Sequence, residues 1–181
     1  MERIWIIGAS GCGKTTLGKI LAEKLETDAT DLDELNWLPG WQTVSVEELT
    51  WMVDAVTSEK QWVISGNYSS QEKFMSRADT IIWLDYPFST VLSRLMKRTF
   101  RRIYYKELCC NGNREALNKL FTRDSIILWL FRTYRKRKQK GYEIMNAPNH
   151  SHLRIHHFTK PNQTNDWLNS LPQYLVDLSD K

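Results

Sequence analysis

Cysteine is scarce in this sequence, with three in 181 residues, at positions 12, 109 and 110. An odd number with two of the three adjacent argues against a disulfide framework, because neighbouring cysteines rarely meet the geometry a bridge demands. There is no second Cys-x-x-Cys and no His pair at ligand spacing to complete a zinc site. The thiols therefore read as ordinary buried or half-buried groups in a reducing, cytoplasmic setting. No apolar run approaches the roughly 18 residues of a membrane span, and the stretch after Met1 is only Ile4 to Ile7, too short for a signal peptide. Internal repeats and low-complexity blocks are also missing, which excludes a repeat architecture.

What is present is ordinary for a globular chain: 41% hydrophobic and 25% charged residues. The length suits one domain, residues 1–181, built as a core plus insertions. Charge is unevenly spread. Residues 94–140 carry fifteen Lys and Arg against three Asp and Glu, a surplus of +12, while the remainder of the chain stands at −8. A segment this basic implies a negatively charged partner, such as a triphosphate, a phosphorylated substrate or nucleic acid.

Short apolar runs at 3–7 (RIWII), 62–65 (WVIS), 80–85 (TIIWLD) and 153–158 (LRIHHF) predict interior strands. Between them, Leu17, Ile20, Leu21 and Leu25 recur at helical spacing over 14–26. Ser45 with Glu48 three positions on forms a capping box for a helix ending near Ser58. Phe88, Val91, Leu92, Leu95, Thr99 and Ile103 mark one face of a further helix, and Arg94, Lys97, Arg98, Arg101 and Arg102 form a basic stripe on another. Residues 106–114 read as a mobile loop, and helix is expected to resume near Glu115 and stop at Gly141. A short helix is expected over 164–171. Strands alternating with helices at this rhythm predict an α/β fold with a parallel sheet covered on both faces.

The segment 8–15, GASGCGKT, fits G-x-x-x-x-G-K-[ST] and lies between a predicted strand and a predicted helix. Gly8, Gly11 and Gly13 let the chain turn so that backbone N–H groups of residues 8–16, through Ala9, Ser10, Cys12 and Thr16, face inward. The first helical turn adds its partial positive charge. The chemistry implied is binding of a nucleoside triphosphate, with Lys14 on the β- and γ-phosphates and the Thr15 hydroxyl on Mg²⁺. GTP-specific switches also require Asn-Lys-x-Asp, and the one candidate, residues 118–121, ends in Phe121. Motor and helicase ATPases need far longer chains. A small P-loop kinase using ATP and Mg²⁺ remains.

Phosphoryl transfer needs a metal bridging two phosphates, cations over the γ-phosphate and a held acceptor. Asp31 and Asp33 close the second predicted strand, two apart and so on the same side of an extended chain. Either they are a solvated acidic turn, or Asp31 holds a metal-bound water and Asp33 accepts the acceptor hydroxyl's proton. Arg98, Arg101 and Arg102 are candidates for a phosphate-covering lid, against the plainer reading of a solvated basic face. Trp51 and Trp62 read as core. Trp37 and Trp41, beside Pro39-Gly40, suit an acceptor pocket as well as they suit packing. His156 and His157 have no partner in the sequence pattern and read as structural.

Together with the P-loop, DLDELNWLPGW (31–41), WVISGNYS (62–69) and ADTIIWLDYP (78–87) resemble the FlaR-type "DNA topology modulation" proteins, within the adenylate and shikimate kinase-like group of P-loop kinases. The resemblance covers residues 3–103. It implies a three-layer sandwich with a five-stranded parallel sheet in the order 2-3-1-4-5, an acceptor-side insertion at 32–60 and a helical basic lid at 98–140. It places Asn67 and Tyr68 on the acceptor pocket and sets Lys160, in the loop TKP (159–161), against the adenine; Asp33 and Trp37 as acceptor-side residues, and Arg98 and Arg102 as catalytic ones, rest on the reading of the residues above. That loop reads equally as a turn forced by Pro161. Members of the group usually carry Asp where this chain has Ser65, so either Asp31 alone orients the metal's water shell, or the metal is held weakly and turnover is poor. The acceptor is a small, hydroxyl-bearing molecule or nucleotide. A nucleotide-dependent nucleic-acid binder gripped by residues 94–140 is the competing reading, and it would lose affinity steeply with salt.

Overall fold

The computed structural model describes residues 1–117, 122 and 125–173. Five parallel strands form the central sheet: β1 (Arg3–Gly8), β2 (Ala29–Asp31), β5 (Trp62–Ser65), β6 (Thr80–Leu84) and β9 (Arg154–Phe158), in the spatial order β2-β5-β1-β6-β9. Counted along the chain, that is the expected 2-3-1-4-5. Two small antiparallel hairpins lie outside it, β3 (Trp37–Leu38) with β4 (Gln42–Thr43), and β7 (Leu108–Cys109) with β8 (Asn113–Arg114).

Strict alternation along the strands divides the core into two layers. Ile4, Ile6, Val63, Ile82 and Leu84 face α1 (Lys14–Lys24), α4 (Phe88–Tyr104) and α6 (Pro161–Ser170), with Leu17, Leu21, Val91 and Leu95 packed against them. Trp5, Ile7, Trp62, Ile64, Ile81 and Trp83 face the other way, onto Leu49 and Val53 of α3 (Val46–Thr57) and onto Phe74, Met75 and Ile144. Every residue of β5 and β6 is buried, as interior strands of a doubly covered sheet must be. No helix among the described residues is long and apolar enough to cross a membrane.

The Ser45 half of the capping box forms, with the Glu48 N–H donating to Ser45 Oγ at 3.0 Å. Several expectations need correction. Helix α5 runs over Ile126–Met145, straight through Gly141. Glycine is required there by contact rather than as a stop, since a methyl group at 141 would come within 2.2 Å of the buried Trp83 indole. Within the expected loop at 106–114, residues 108–114 form a hairpin. Its turn places Cys110, Asn111 and Gly112 in the left-handed region, with φ of 43°, 58° and 80°. Helix α6 starts at Pro161, three residues before the expected Thr164, because the Gln163 side chain accepts from the Lys160 N–H at 3.0 Å and fixes the first turn. Trp62 is core, but Trp51 is 72% exposed: α3 buries Leu49, Val53 and Thr57 at spacing four, and Trp51 falls on the opposite face. His157 does have a partner, Asp85 Oδ2 at 3.2 Å, and stacks on Trp83. The incomplete guanine-reading candidate at 118–121 lies outside the described residues, as does part of the segment where helix was expected to resume.

Gly141→Ala gives a direct stability prediction. Alanine favours the helix by about 1 kcal/mol, but the clash with a ring held between His157 and Tyr142 costs about 3 kcal/mol. Urea denaturation should show a net loss of about 2 kcal/mol, with an unchanged m-value.

Candidate active site

Parallel pairing carries the C-terminal ends of β1, β2 and β5 to one edge of the sheet, where open α/β folds collect their ligands. The P-loop leaves β1 at Gly8 and enters α1 through Gly13, whose φ of 107° makes it a left-handed N-cap. Gly8 has φ of 147°, and a Cβ there would lie 2.6 Å from the Leu84 carbonyl oxygen. Only glycine lets the loop leave the sheet so closely. The Lys14 ammonium donates to the carbonyls of Gly8 (3.0 Å) and Ala9 (3.2 Å), lying across the loop. Cys12 contributes main chain only. Its side chain is buried, and burial pushes the thiol's pKa up.

Asp31 links the loop to the acidic turn. The Thr15 hydroxyl donates to Asp31 Oδ2 at 2.5 Å, and the Asp33 N–H donates to Asp31 Oδ1 at 3.0 Å. The second bond is an N-cap, because β2 ends at Asp31 and Asp33 belongs to the first turn of α2 (Leu32–Asn36). The extended-chain geometry expected for the pair is therefore replaced by a cap, and the two carboxylates separate. Asp31 stays with Thr15, while Asp33 Oδ1 accepts from the Tyr68 hydroxyl at 2.7 Å. Burial, then the neighbouring Asp33 and Asp31 charges, raise the Tyr68 pKa, so its phenol remains a donor at all ordinary pH. A hydroxyl beside a carboxylate is a hard-oxygen set of the kind Mg²⁺ accepts alongside phosphate and water, so Thr15 and Asp31 fit that ion. The glycine loop, the helix N-terminus and Lys14 likewise fit a polyphosphate. Ser65 ends β5 in register with Asp31 and adds no charge.

Asn67 sits elsewhere than expected. The Gly66 N–H pairs with Ile6 O, which brings the next residue level with Gly8. There the Asn67 amide accepts from Gly8 N–H (3.1 Å) and donates to Gly8 O (2.6 Å), bracing the P-loop. Trp37 packs edge-to-face on Trp41, with ring centres 5.5 Å apart. Lys160 is the exposed N-cap of α6.

The arginines divide by partner. Arg102 is paired with Glu115 at 2.9 Å, and the exposed Arg101 with Glu107 at 3.0 Å. Arg98 is half-buried, and its Nε is fully buried with no hydrogen-bond partner among the described residues. Burial and then Arg102 lower its pKa, while Glu115 and Asp33 pull it back up.

Two cations were missed as site residues. Arg94 donates to Cys12 O at 3.1 Å and lies over the Tyr86 ring. Arg137 donates to Asn67 O and is also partly desolvated, within the fields of Asp33 and Tyr68. A signal for Arg137 existed: Leu130, Tyr134, Gly141 and Ile144 mark the inward face of α5, and 137 falls on it.

Comparison with known proteins adds to this geometry. The shikimate kinase family model matches residues 10–36. A shikimate kinase from Sulfurihydrogenibium sp. (strain YO3AOP1) is 30% identical over 111 residues, 52% of this chain and 67% of that protein. This chain belongs to the shikimate kinase-like family of P-loop kinases. The fold agrees with that placement. A shikimate kinase from Bacteroides thetaiotaomicron superposes with a TM-score of 0.56 at 21% identity, over 98% of this chain and 99% of that one. One from Acinetobacter baumannii, in complex with shikimate, gives 0.55 at 17%, over 100% and 96%. A kinase-like, ATP-binding function goes with this shikimate kinase-like chain.

Proposed function

We propose that the protein transfers the γ-phosphoryl group of Mg²⁺-ATP to a hydroxyl of a small anionic acceptor. The observation that carries this reading is the pair of hydrogen bonds that Asp31 accepts, which ties the Thr15 hydroxyl to the turn bearing Asp33 and so couples the nucleotide side to the acceptor side. Residues 32–60 form the acceptor-side insertion and 98–140 the lid, within one domain spanning 1–181. When bound, Mg²⁺-ATP supplies the transferable phosphoryl group. Lys14 and Arg94 neutralise charge at the loop, and Thr15 with Asp31 holds the metal side. Asp33, steadied by Tyr68, accepts the acceptor's hydroxyl proton through the oxygen Tyr68 leaves free. Arg98 and Arg137 bring positive charge next to Asp33, which favours an acceptor carrying a carboxylate or phosphate. Trp37 walls the pocket through its packing with Trp41. Arg102, through Glu115, positions Arg98, and Lys160 borders the adenine.

The resemblance to FlaR-type proteins stands with this reading, since both describe a P-loop kinase core. Nucleic-acid binding by the basic segment has less to rest on. Arg101 and Arg102 pair with Glu107 and Glu115, acids already counted within the segment, while Lys138 and Lys140 reach Asp85 and Glu72 outside it, so two of its surplus charges are answered within the chain.

The test is an acceptor panel. With Mg²⁺-ATP, ADP release should rise at least about tenfold over the hydrolytic background on adding a hydroxylated carboxylate or a phosphorylated alcohol, and not on adding neutral sugars. Stimulation by neutral acceptors alone would contradict the anionic assignment. A panel with no stimulation at all would remove the kinase reading.

A further inference from the structure

Cys109 and Cys110 take no part in the chemistry above, yet they stand at its edge. They are consecutive residues where β7 enters its turn. Cys109 Sγ approaches the Asn113 carbonyl at 3.6 Å. The same turn clasps the acceptor-side insertion: Asn111 Nδ2 donates to the carbonyls of Glu34 (2.7 Å) and Trp37 (2.8 Å). The Asn113 amide accepts from Trp41 N–H (2.8 Å) and donates to Leu38 O (2.9 Å). Cys110 and Asn111 hold left-handed backbone angles that the clasp geometry demands of non-glycine residues.

The adjoining Cys110 side chain, with Arg102 and Arg98 nearby, holds the Cys109 thiol below the ordinary thiol range against the opposing effect of burial. A thiolate so placed is the reactive member of a pair. Cys109 retains 9% exposure and Cys110 is half-buried, so a small hydroperoxide rather than a protein oxidant is the reagent that suits the pair.

We propose that Cys109 and Cys110 are a peroxide-sensitive thiol pair whose oxidation to a disulfide releases the Asn111 clasp from the acceptor-side insertion. The consequence for turnover rests on the kinase reading, but the chemistry and the release do not. In the first step the Cys109 thiolate attacks one oxygen of a hydroperoxide. An S–O bond forms, the O–O bond breaks, and the departing alkoxide or hydroxide takes a proton to leave as alcohol or water. In the second, the Cys110 sulfur attacks the Cys109 sulfur. The S–S bond forms, the S–O bond breaks, and hydroxide leaves as water with the Cys110 proton. The two sulfurs lose two electrons, and the peroxide oxygens gain them.

Adjacent Cα atoms lie about 3.8 Å apart across a trans peptide, less than the roughly 4.4–6.8 Å of ordinary disulfides. Closing this ring therefore reshapes the turn that presents Asn111. The resulting strain also leaves the bond easily reduced, as reversible regulatory disulfides are.

The test treats the full chain with hydrogen peroxide, then with dithiothreitol, and reads two signals that need no turnover. Peptide mass analysis of the tryptic fragment 107–114, which contains both cysteines and excludes Cys12, should show loss of two hydrogens, reversed by the dithiol. Hydrogen exchange across residues 34–43 should rise about tenfold in parallel, and Cys110→Ser should abolish both changes. Thiols that stay separate, or that pass directly to sulfinic and sulfonic acids, would overturn the proposal. So would a disulfide that leaves exchange at 34–43 unchanged. If both signals appear while the reduced protein shows no acceptor-stimulated ADP release, the kinase reading fails and the thiol switch stands.

Discussion

Replacing Lys14 with alanine should lower acceptor-stimulated ADP release on the order of a thousandfold while leaving the protein folded. The two effects separate because the ammonium plays different parts in them. In the fold it makes two hydrogen bonds, to the Gly8 and Ala9 carbonyls, from a half-buried position, and their loss costs about 1 kcal/mol. The core on either side of the sheet does not depend on it. In transfer the same group stands at the mouth of the loop, where negative charge moves between leaving and transferring oxygens. A preorganised cation there acts on the transition state more than on bound nucleotide. The steady-state rate and a urea denaturation curve on the same preparation decide the point. A rate within tenfold of wild type would remove Lys14 from the chemistry.

Asp33→Asn is the second large effect, expected to slow turnover by about a hundred- to a thousandfold. Asparagine keeps the size of the side chain and can still accept from the Tyr68 hydroxyl, so the turn capped by Asp31 stays in place. What it removes is a group able to take the acceptor's proton. ATP affinity should change little, since the hydrogen bonds of Asp33 run to Asp31 and Tyr68, whereas Asp31→Asn should instead raise the Mg²⁺ concentration needed for half-maximal rate. Measuring the rate across Mg²⁺ concentrations for both variants distinguishes them. Equal Mg²⁺ dependence in the two would contradict the division of roles.

Much of this arrangement is legible in the sequence because it is local or periodic. The P-loop signature fixes a strand, a turn and a helix within twenty residues, and apolar runs bounded by polar loops locate the remaining strands. The harder features depend on contacts between distant segments. Asn67 looks like a pocket residue until parallel pairing of β1 with β5 sets it beside Gly8. Gly141 reads as a helix stop until Trp83 is found against it. Residues 106–114 lack periodicity because the hairpin is only two residues deep, and its order comes from Asn111 and Asn113 reaching the β3–β4 hairpin more than seventy positions away. Arg137 was hidden among the basic residues of 132–140, and only the inward phase of α5 separates it from its solvated neighbours. Asp33 was identified for its chemistry, but its place in a helix rather than a strand follows from the competition of the Asp31 side chain for a backbone N–H.

The most direct measurement is a crystal structure with Mg²⁺ and a non-hydrolysable ATP analogue. The account predicts the triphosphate within the loop of residues 8–16, the metal on the Thr15 hydroxyl with Asp31 reaching it directly or through water, and the γ-phosphate facing Asp33 across a cavity bordered by Arg98 and Arg137. A triphosphate bound away from the loop, or a γ-phosphate turned from Asp33 with no cavity between them, would contradict it.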